Sequence, residues 1–229
     1  MAGAPVVLVH GWGGSFQRTY REPGWEALLQ DGGREVIGVD LLGHGTAPKP
    51  HDPADYGDLS ARIIDAVPDR RFAAVGFSLG AMTLLDLATR EAGRFEQLVL
   101  MGIGRNIFEE DEERHRAILG ALEGSGEVDD IGAQLFAQYA NQPGNDAKAL
   151  TAIFKRPSRS LMTDDRLASV TCPTLVVIGD NDFAGPADRL AAGLPHARLV
   201  VLKNTDHFAT TESFAAIDAV LEFLGALPS

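Results

Sequence analysis

At 229 residues, 45% hydrophobic and 23% charged, the chain is long enough to bury one substantial core and too apolar to be disordered. A formal net charge of −12, with no basic stripe to offset it, argues against nucleic acid and anionic membranes as partners. One cysteine, Cys172, cannot form an internal disulfide, no apolar run nears transmembrane length, and Met1–Pro5 lack a secretory pattern, so a cytoplasmic location is expected.

In chain order, Val6-Val7-Leu8-Val9 is a continuous apolar run that predicts a strand buried on both faces, as in a parallel sheet. It opens into His10-Gly11-Trp12-Gly13-Gly14, where glycines permit a tight turn with exposed amides. A short helix over 25–29 leads to a second strand, 35–39, and then to Asp40 and the loop 41–48. His10 and His44 are expected to be structural, and Asp40 to brace these loops by hydrogen bonds. A helix is predicted over 56–66, a third strand over 71–75 and a helix over 81–90. Between the last two lies Gly76-Phe77-Ser78-Leu79-Gly80.

A fourth strand covers 95–102. Strand–helix alternation then stops for roughly 65 residues. Helices are predicted over 107–123, 128–140 and about 146–155. The run Glu109–Glu113 is expected in the first turns of the first of these, where the helix dipole favours acids, and reads as a solvated face. In the second, Ile131, Leu135, Phe136 and Tyr139 recur at helical spacing. Residues 103–167 therefore predict a helical cap inserted after the fourth strand into a core made of 1–102 and 168–229. Phe77, Phe108, Phe136, Tyr139 and Phe154, with Met162, are candidates to line a pocket beneath it. A fifth strand, 173–178, runs into Gly179-Asp180-Asn181-Asp182, a helix follows over about 186–193, and a sixth strand, 197–202, leads to Asp206-His207-Phe208 and a last helix over about 211–225.

The candidate chemistry falls at the carboxyl ends of these strands, where open α/β sheets bind ligands. Ser78 sits between a strand and a helix, flanked by glycines two residues away on either side, the context of a nucleophile elbow. Such a turn raises the hydroxyl at a helix N-terminus, where developing negative charge is stabilised. The chain order Ser78, acid, His207 suits a relay in which His207 accepts the serine proton and the acid holds the imidazole. The acid is Asp182 or Asp180. Two more residues beyond the strand favour Asp182, and Asp206 is expected to point elsewhere. The backbone N–H groups of Leu79 and Trp12 are the expected oxyanion donors.

The runs His10–Gly13, Asp40–Gly45, Gly76–Gly80, Gly179–Asp182 and Asp206–Phe208 together resemble the α/β-hydrolase fold family over nearly the whole length. The likeness implies a mostly parallel, doubly wound sheet, and the family's Gly-x-x-Asp pattern independently supports Asp182. His10-Gly11-Trp12-Gly13 is similar to carboxylesterases of the kind that cleave the pimeloyl-carrier-protein methyl ester. Two departures stand out. The chain starts directly at its first buried strand, implying a smaller sheet without the family's N-terminal hairpin, and Asp206 replaces the glycine that commonly precedes the histidine.

The resulting expectation is a cofactor-free, metal-free serine hydrolase that cleaves small esters or thioesters through an acyl-enzyme. Two alternatives keep the same residues: a hydrolase or lyase that breaks a carbon–carbon bond in a small metabolite, and a non-catalytic small-molecule receptor.

Overall fold

Apolar β-branched runs build the centre of the molecule. The computed structural model describes residues 3–124, 130–157 and 160–227. Six strands, β1 (Val6–Val9), β2 (Val36–Val39), β3 (Phe72–Phe77), β4 (Phe95–Met101), β5 (Thr174–Gly179) and β6 (Ala197–Leu202), form one sheet in the order β2-β1-β3-β4-β5-β6. Every pairing is parallel. The inner strands β1, β3 and β5 are buried along their whole length, whereas the edge strands β2 and β6 are partly exposed. This is the burial expected when helices cover both faces. Val7 and Val9 face one apolar layer, and Val6 and Leu8 face the other.

The helices follow from their caps and their apolar faces. α1 (Trp25–Asp31) and α9 (Phe214–Leu224) pack on one face through Trp25, Leu29, Ile217 and Val220. α2 (Ala61–Ala66), α3 (Leu79–Arg90) and α8 (Asp188–Gly193) cover the other through Ile63, Leu84, Leu85 and Leu190. Between β4 and β5 lie α4 (Glu112–Glu123), α5 (Ile131–Ala140), α6 (Ala147–Phe154) and α7 (Asp164–Ala168). Each has an N-cap side chain accepting from its first turn: Asp111, Asp130, Asp146 and Thr163.

These caps move several boundaries from their sequence expectation. The helix expected from 107 starts at Glu112, because Asp111 takes the Arg114 amide, so Glu109 and Glu110 precede it. Glu109 pairs instead with Arg105. The helix expected over 56–66 divides into a 3-10 turn at Pro53–Tyr56 and α2. Asp58 captures both the amide and the hydroxyl of Ser60, leaving that hydroxyl no role as a helix cap. Positions 128 and 129 of the helix expected over 128–140 lie outside the described residues. Its Ile131 is 74% exposed at the first position of α5, off the buried face. A π-helical turn at Gln17–Arg21 and the short α7 carry no strong periodic signal and were not expected.

The strand order reverses on either side of β1, with β2 to one side and β3 to the other. The carboxyl ends of β1 and β3 therefore flank the topological switch point of the sheet, where a crevice opens. Ser78 follows β3 directly, with φ 50° and ψ −113°, a strained conformation for a residue with a side chain. The turn fits because α3 crosses close over β1. A methyl group on Gly80 would lie 2.2 Å from the Val9 carbonyl oxygen and 2.5 Å from that of His10. Both obstacles are backbone, at the end of a central strand and just past it, and cannot easily move aside. Gly80→Ala is accordingly expected to destabilise the protein by about 3 kcal/mol or more, read as a lowered urea midpoint.

Candidate active site

Three loops at one edge of the sheet converge on Ser78. Its amide donates to the Met101 carbonyl at 2.8 Å, and its carbonyl accepts from Met82 in the first turn of α3, so the backbone on both sides of the hydroxyl is pinned. The Ser78 Oγ lies 3.0 Å from His207 Nε2. On the far side of the ring, His207 Nδ1 lies 2.9 and 3.0 Å from the two carboxylate oxygens of Asp182. Nδ1 therefore carries the proton and donates to the carboxylate, which leaves Nε2 to accept from the serine hydroxyl. His207 and Asp182 are buried, whereas Ser78 is partly open.

The two other candidate acids have separate partners. Asp180 accepts from the Thr205 amide at 3.3 Å and faces Lys203 at 3.7 Å, bracing the loop after β6. Asp206 accepts from the Ala209 amide at 2.9 Å, at the start of the 3-10 turn Phe208–Glu212. Asp182 is turned inward instead. Its amide returns to the Gly179 carbonyl, and its Oδ1 also accepts from Ala184 at 2.8 Å, which fixes the rotamer that meets His207.

Leu79 occupies the first position of α3, where a helix amide has no intrahelical acceptor. Trp12 lies in the loop that follows β1, at the second position of a turn closed by Gly14 N–H on the Gly11 carbonyl. The loop lies against the serine: a methyl group on Gly11 would be 3.3 Å from Ser78 Cβ.

An aromatic wall surrounds this edge. His207 contacts Phe77 at 4.9 Å, Phe183 at 4.3 Å and Phe208 at 5.6 Å between ring centroids. Phe136 joins it to the inserted helices, meeting Phe183, Phe208, Phe154 and Trp12, and Tyr139 stacks on Phe208 at 5.1 Å. Phe183 and Phe208 were not anticipated from sequence, although each directly follows one of the polar residues of the site. Phe108 faces elsewhere, under the Arg189 guanidinium at 4.1 Å. Met162 is buried among Met82, Leu85 and Ile107, beneath the inserted helices. A surface cleft of about 320 Å³ lined by Phe16, Arg21, Asp40 and Arg62 lies apart from Ser78, along the edge of β2.

The neighbouring histidines hold the loops together. His10 is fully buried, its Nδ1 lies 2.7 Å from the Gly11 carbonyl, and its Nε2 accepts from Leu41 at 3.2 Å. Burial holds it below its ordinary pKa. Asp40 accepts from the amides of Phe16 and Thr46, each at 2.8 Å. Burial pushes its carboxyl up, but those amides outweigh the effect and keep it below its ordinary value. Burial lowers His44 from 6.5 to about 3, with further repulsion from His10, whose ring is 4.8 Å away. Between those two pH values the unfolded chain binds a proton that folded His44 refuses. Stability is thus complete above about pH 6.5 and is lost as pH falls toward 3. Thermal melts across this window should show the decline, and His44→Gln should flatten it.

Among the described residues, no group of three or more His, Cys, Asp or Glu side chains is arranged to hold a metal ion, and no helix is long and apolar enough to cross a membrane.

The chain has relatives in both sequence and fold. Residues 6–222 match the alpha/beta hydrolase family. The protein named "Putative carbamate hydrolase RutD" of Variovorax paradoxus is 30% identical over 97% of this chain and 92% of its own length. The 2-hydroxy-6-oxononadienedioate/2-hydroxy-6-oxononatrienedioate hydrolase of Cupriavidus pinatubonensis is 28% identical over 96% of this chain and 86% of its own. Over a shorter stretch, 42% of this chain and 37% of the relative, the pimeloyl-[acyl-carrier protein] methyl ester esterase of Legionella pneumophila is 31% identical. The crystal structure of a hydrolase from Pseudomonas aeruginosa superposes with a TM-score of 0.67 at 28% identity, covering 99% of this chain and 92% of that one. The parallel sheet, the match over residues 6–222 and the full-length relatives lead to one conclusion: the chain belongs to the alpha/beta hydrolase family.

Proposed function

We propose that this alpha/beta hydrolase cleaves small esters or thioesters, with Ser78 as nucleophile, His207 as general base and then general acid, and Asp182 holding the imidazole. The observation that carries the reading is the unbroken path from Ser78 Oγ to His207 Nε2 and from His207 Nδ1 to the Asp182 carboxylate. In the first half-reaction the Ser78 oxygen attacks the substrate carbonyl as its proton passes to Nε2, and the imidazolium is stabilised by the buried carboxylate. The tetrahedral oxyanion lies at the amides of Leu79 and Trp12, beside the positive end of α3. The proton then goes to the departing alcohol or thiol, leaving an acyl-serine. Water activated by His207 hydrolyses that intermediate and restores the serine.

The inserted helices act as a cap, and the wall of Phe77, Phe136, Tyr139, Phe154, Phe183 and Phe208 favours an apolar acyl group. The partner is a small molecule, and the chemistry needs no metal or cofactor. The relatives' names cover carbamate, carbon–carbon and methyl-ester hydrolysis, so kinship supports hydrolysis without selecting the bond. A second reading, carbon–carbon hydrolysis by the same relay, is favoured by the likeness to the Cupriavidus enzyme along nearly the full chain.

Turnover of p-nitrophenyl butyrate, together with labelling of Ser78 by a fluorophosphonate, is expected. Labelling without ester turnover, combined with loss of a dienoate chromophore, would favour the second reading. A folded protein that neither labels nor turns over any of these substrates would end the enzymatic reading and leave a receptor.

A further inference from the structure

The turn that presents the Trp12 amide is held from two directions, and one of them is the cap. From the core side, the Gly11 carbonyl accepts from Gly14 N–H at 3.1 Å and sits 2.7 Å from His10 Nδ1. A trans peptide points its carbonyl and N–H in opposite directions, so anchoring the Gly11 carbonyl directs the Trp12 N–H the other way. The next peptides form the rest of the turn, and the Gly13–Gly14 peptide is anchored through its N–H on the Gly11 carbonyl. Gly13 has a φ of 72°, which only glycine adopts freely.

The second hold on the turn comes from the segment between α5 and α6. Asn145 Nδ2 donates to the Gly13 carbonyl at 2.9 Å and to the Tyr139 carbonyl at 2.8 Å, tying the turn to the last residues of α5. The Trp12 indole donates to the Leu150 carbonyl of α6 at 3.1 Å. Arg18, just past the turn, reaches Gln142 Oε1 at 2.7 Å and the Pro143 carbonyl. Of these contacts, the Asn145 bond is the one made to the backbone of the turn itself.

We infer that Asn145 is a positioning residue for the oxyanion site, so that the Trp12 donor is correctly aimed only when the cap is docked. The inference rests on the serine-hydrolase reading above. Asn145 touches neither the substrate nor the relay and acts through the Gly13 carbonyl. Asn145→Asp keeps the side chain's shape but places a carboxylate oxygen against that carbonyl, and Asn145→Ala removes the bond without repulsion. The oxyanion exists only after attack, so the loss should appear in kcat and not in KM. A drop in kcat of about tenfold to a hundredfold is expected, less than the ~10²- to 10³-fold seen when such a donor is removed outright. KM should stay within about twofold.

The test measures kcat and KM on p-nitrophenyl butyrate and the rate of fluorophosphonate labelling for wild type, both Asn145 variants and Arg18→Gln, with melting temperatures for all. Labelling also builds charge on an oxygen at the site, so it should slow in parallel with kcat. Arg18→Gln loosens the same segment without touching the Gly13 carbonyl and should keep most of the kcat. Unchanged kcat in both Asn145 variants, a rise in KM alone, or an equal loss in Arg18→Gln would overturn the assignment. A wild type that neither turns over esters nor labels at Ser78 would overturn the underlying reading as well, a result distinct from an active wild type indifferent to Asn145.

Discussion

Ser78→Ala is expected to lower kcat/KM for p-nitrophenyl butyrate by on the order of 10⁴- to 10⁶-fold and to abolish fluorophosphonate labelling, with the fold intact. Without the oxygen no acyl-enzyme can form, and what remains is attack by water on a substrate bound at the amides of Leu79 and Trp12. The fold should persist because the strain at this position belongs to the backbone. The φ of 50° is set by the Met101 and Met82 hydrogen bonds and by the close passage of α3 over β1. Alanine keeps every one of those bonds and loses only the contact with His207 Nε2. A melting temperature close to wild type, together with lost turnover, is the expected pair of results. Retention of more than about a hundredth of the activity would show that Ser78 is not the nucleophile.

Asp182→Asn should be nearly as damaging, with a fall in kcat of about 10⁴-fold, or roughly 5 kcal/mol of transition-state stabilisation. An asparagine at 182 can still accept from Ala184, so the loop should hold its shape. Its amide N–H, however, can be presented to His207 Nδ1, where the carboxylate accepted. The ring then favours the tautomer protonated on Nε2, which faces Ser78 Oγ and can no longer take its proton. The buried imidazolium also loses its counter-charge. Asp180→Asn provides the contrast: its carboxylate serves Thr205 and Lys203, so the expected loss is under about tenfold. A reversed ranking of the two variants in the same assay would reassign the acid.

The choice between Asp180 and Asp182 illustrates what local sequence cannot carry. Both follow the same buried strand, and both suit a loop. The pairing of β5 with β6 separates them. That register runs from Thr174 opposite Ala197 to Gly179 opposite Leu202, and it continues as backbone bonds from Asp180 to Leu202 and from Asn181 to Thr205. Asp180 is thereby held alongside the chain after β6, and Asp182, one turn later, is the first acid free to swing toward His207.

The aromatic wall divides in the same way. Phe136, Tyr139 and Phe154 could be singled out as apolar positions on inserted helices, but Phe108 looked equivalent and stacks under Arg189 instead. Phe183 and Phe208 lie beside His207 because they follow Asp182 and His207 directly, in a loop and at the start of a short 3-10 turn, where no periodicity marks a buried face. Asn145 has no signal at all. Its importance comes from a carbonyl 132 residues away in sequence.

The parallel sheet, the strand ends and the elbow were legible in the chain alone, because they show in short-range properties: unbroken β-branched runs, the glycine spacing around Ser78, and the order of polar residues along the chain. The tertiary structure alone decided which acid meets His207, which rings line the approach to Ser78, and which cap residue holds the turn that carries Trp12. Each of those depends on the register between strands or on the docking of one segment against another, and a side chain's partner there is set by the fold around it rather than by its neighbours in sequence.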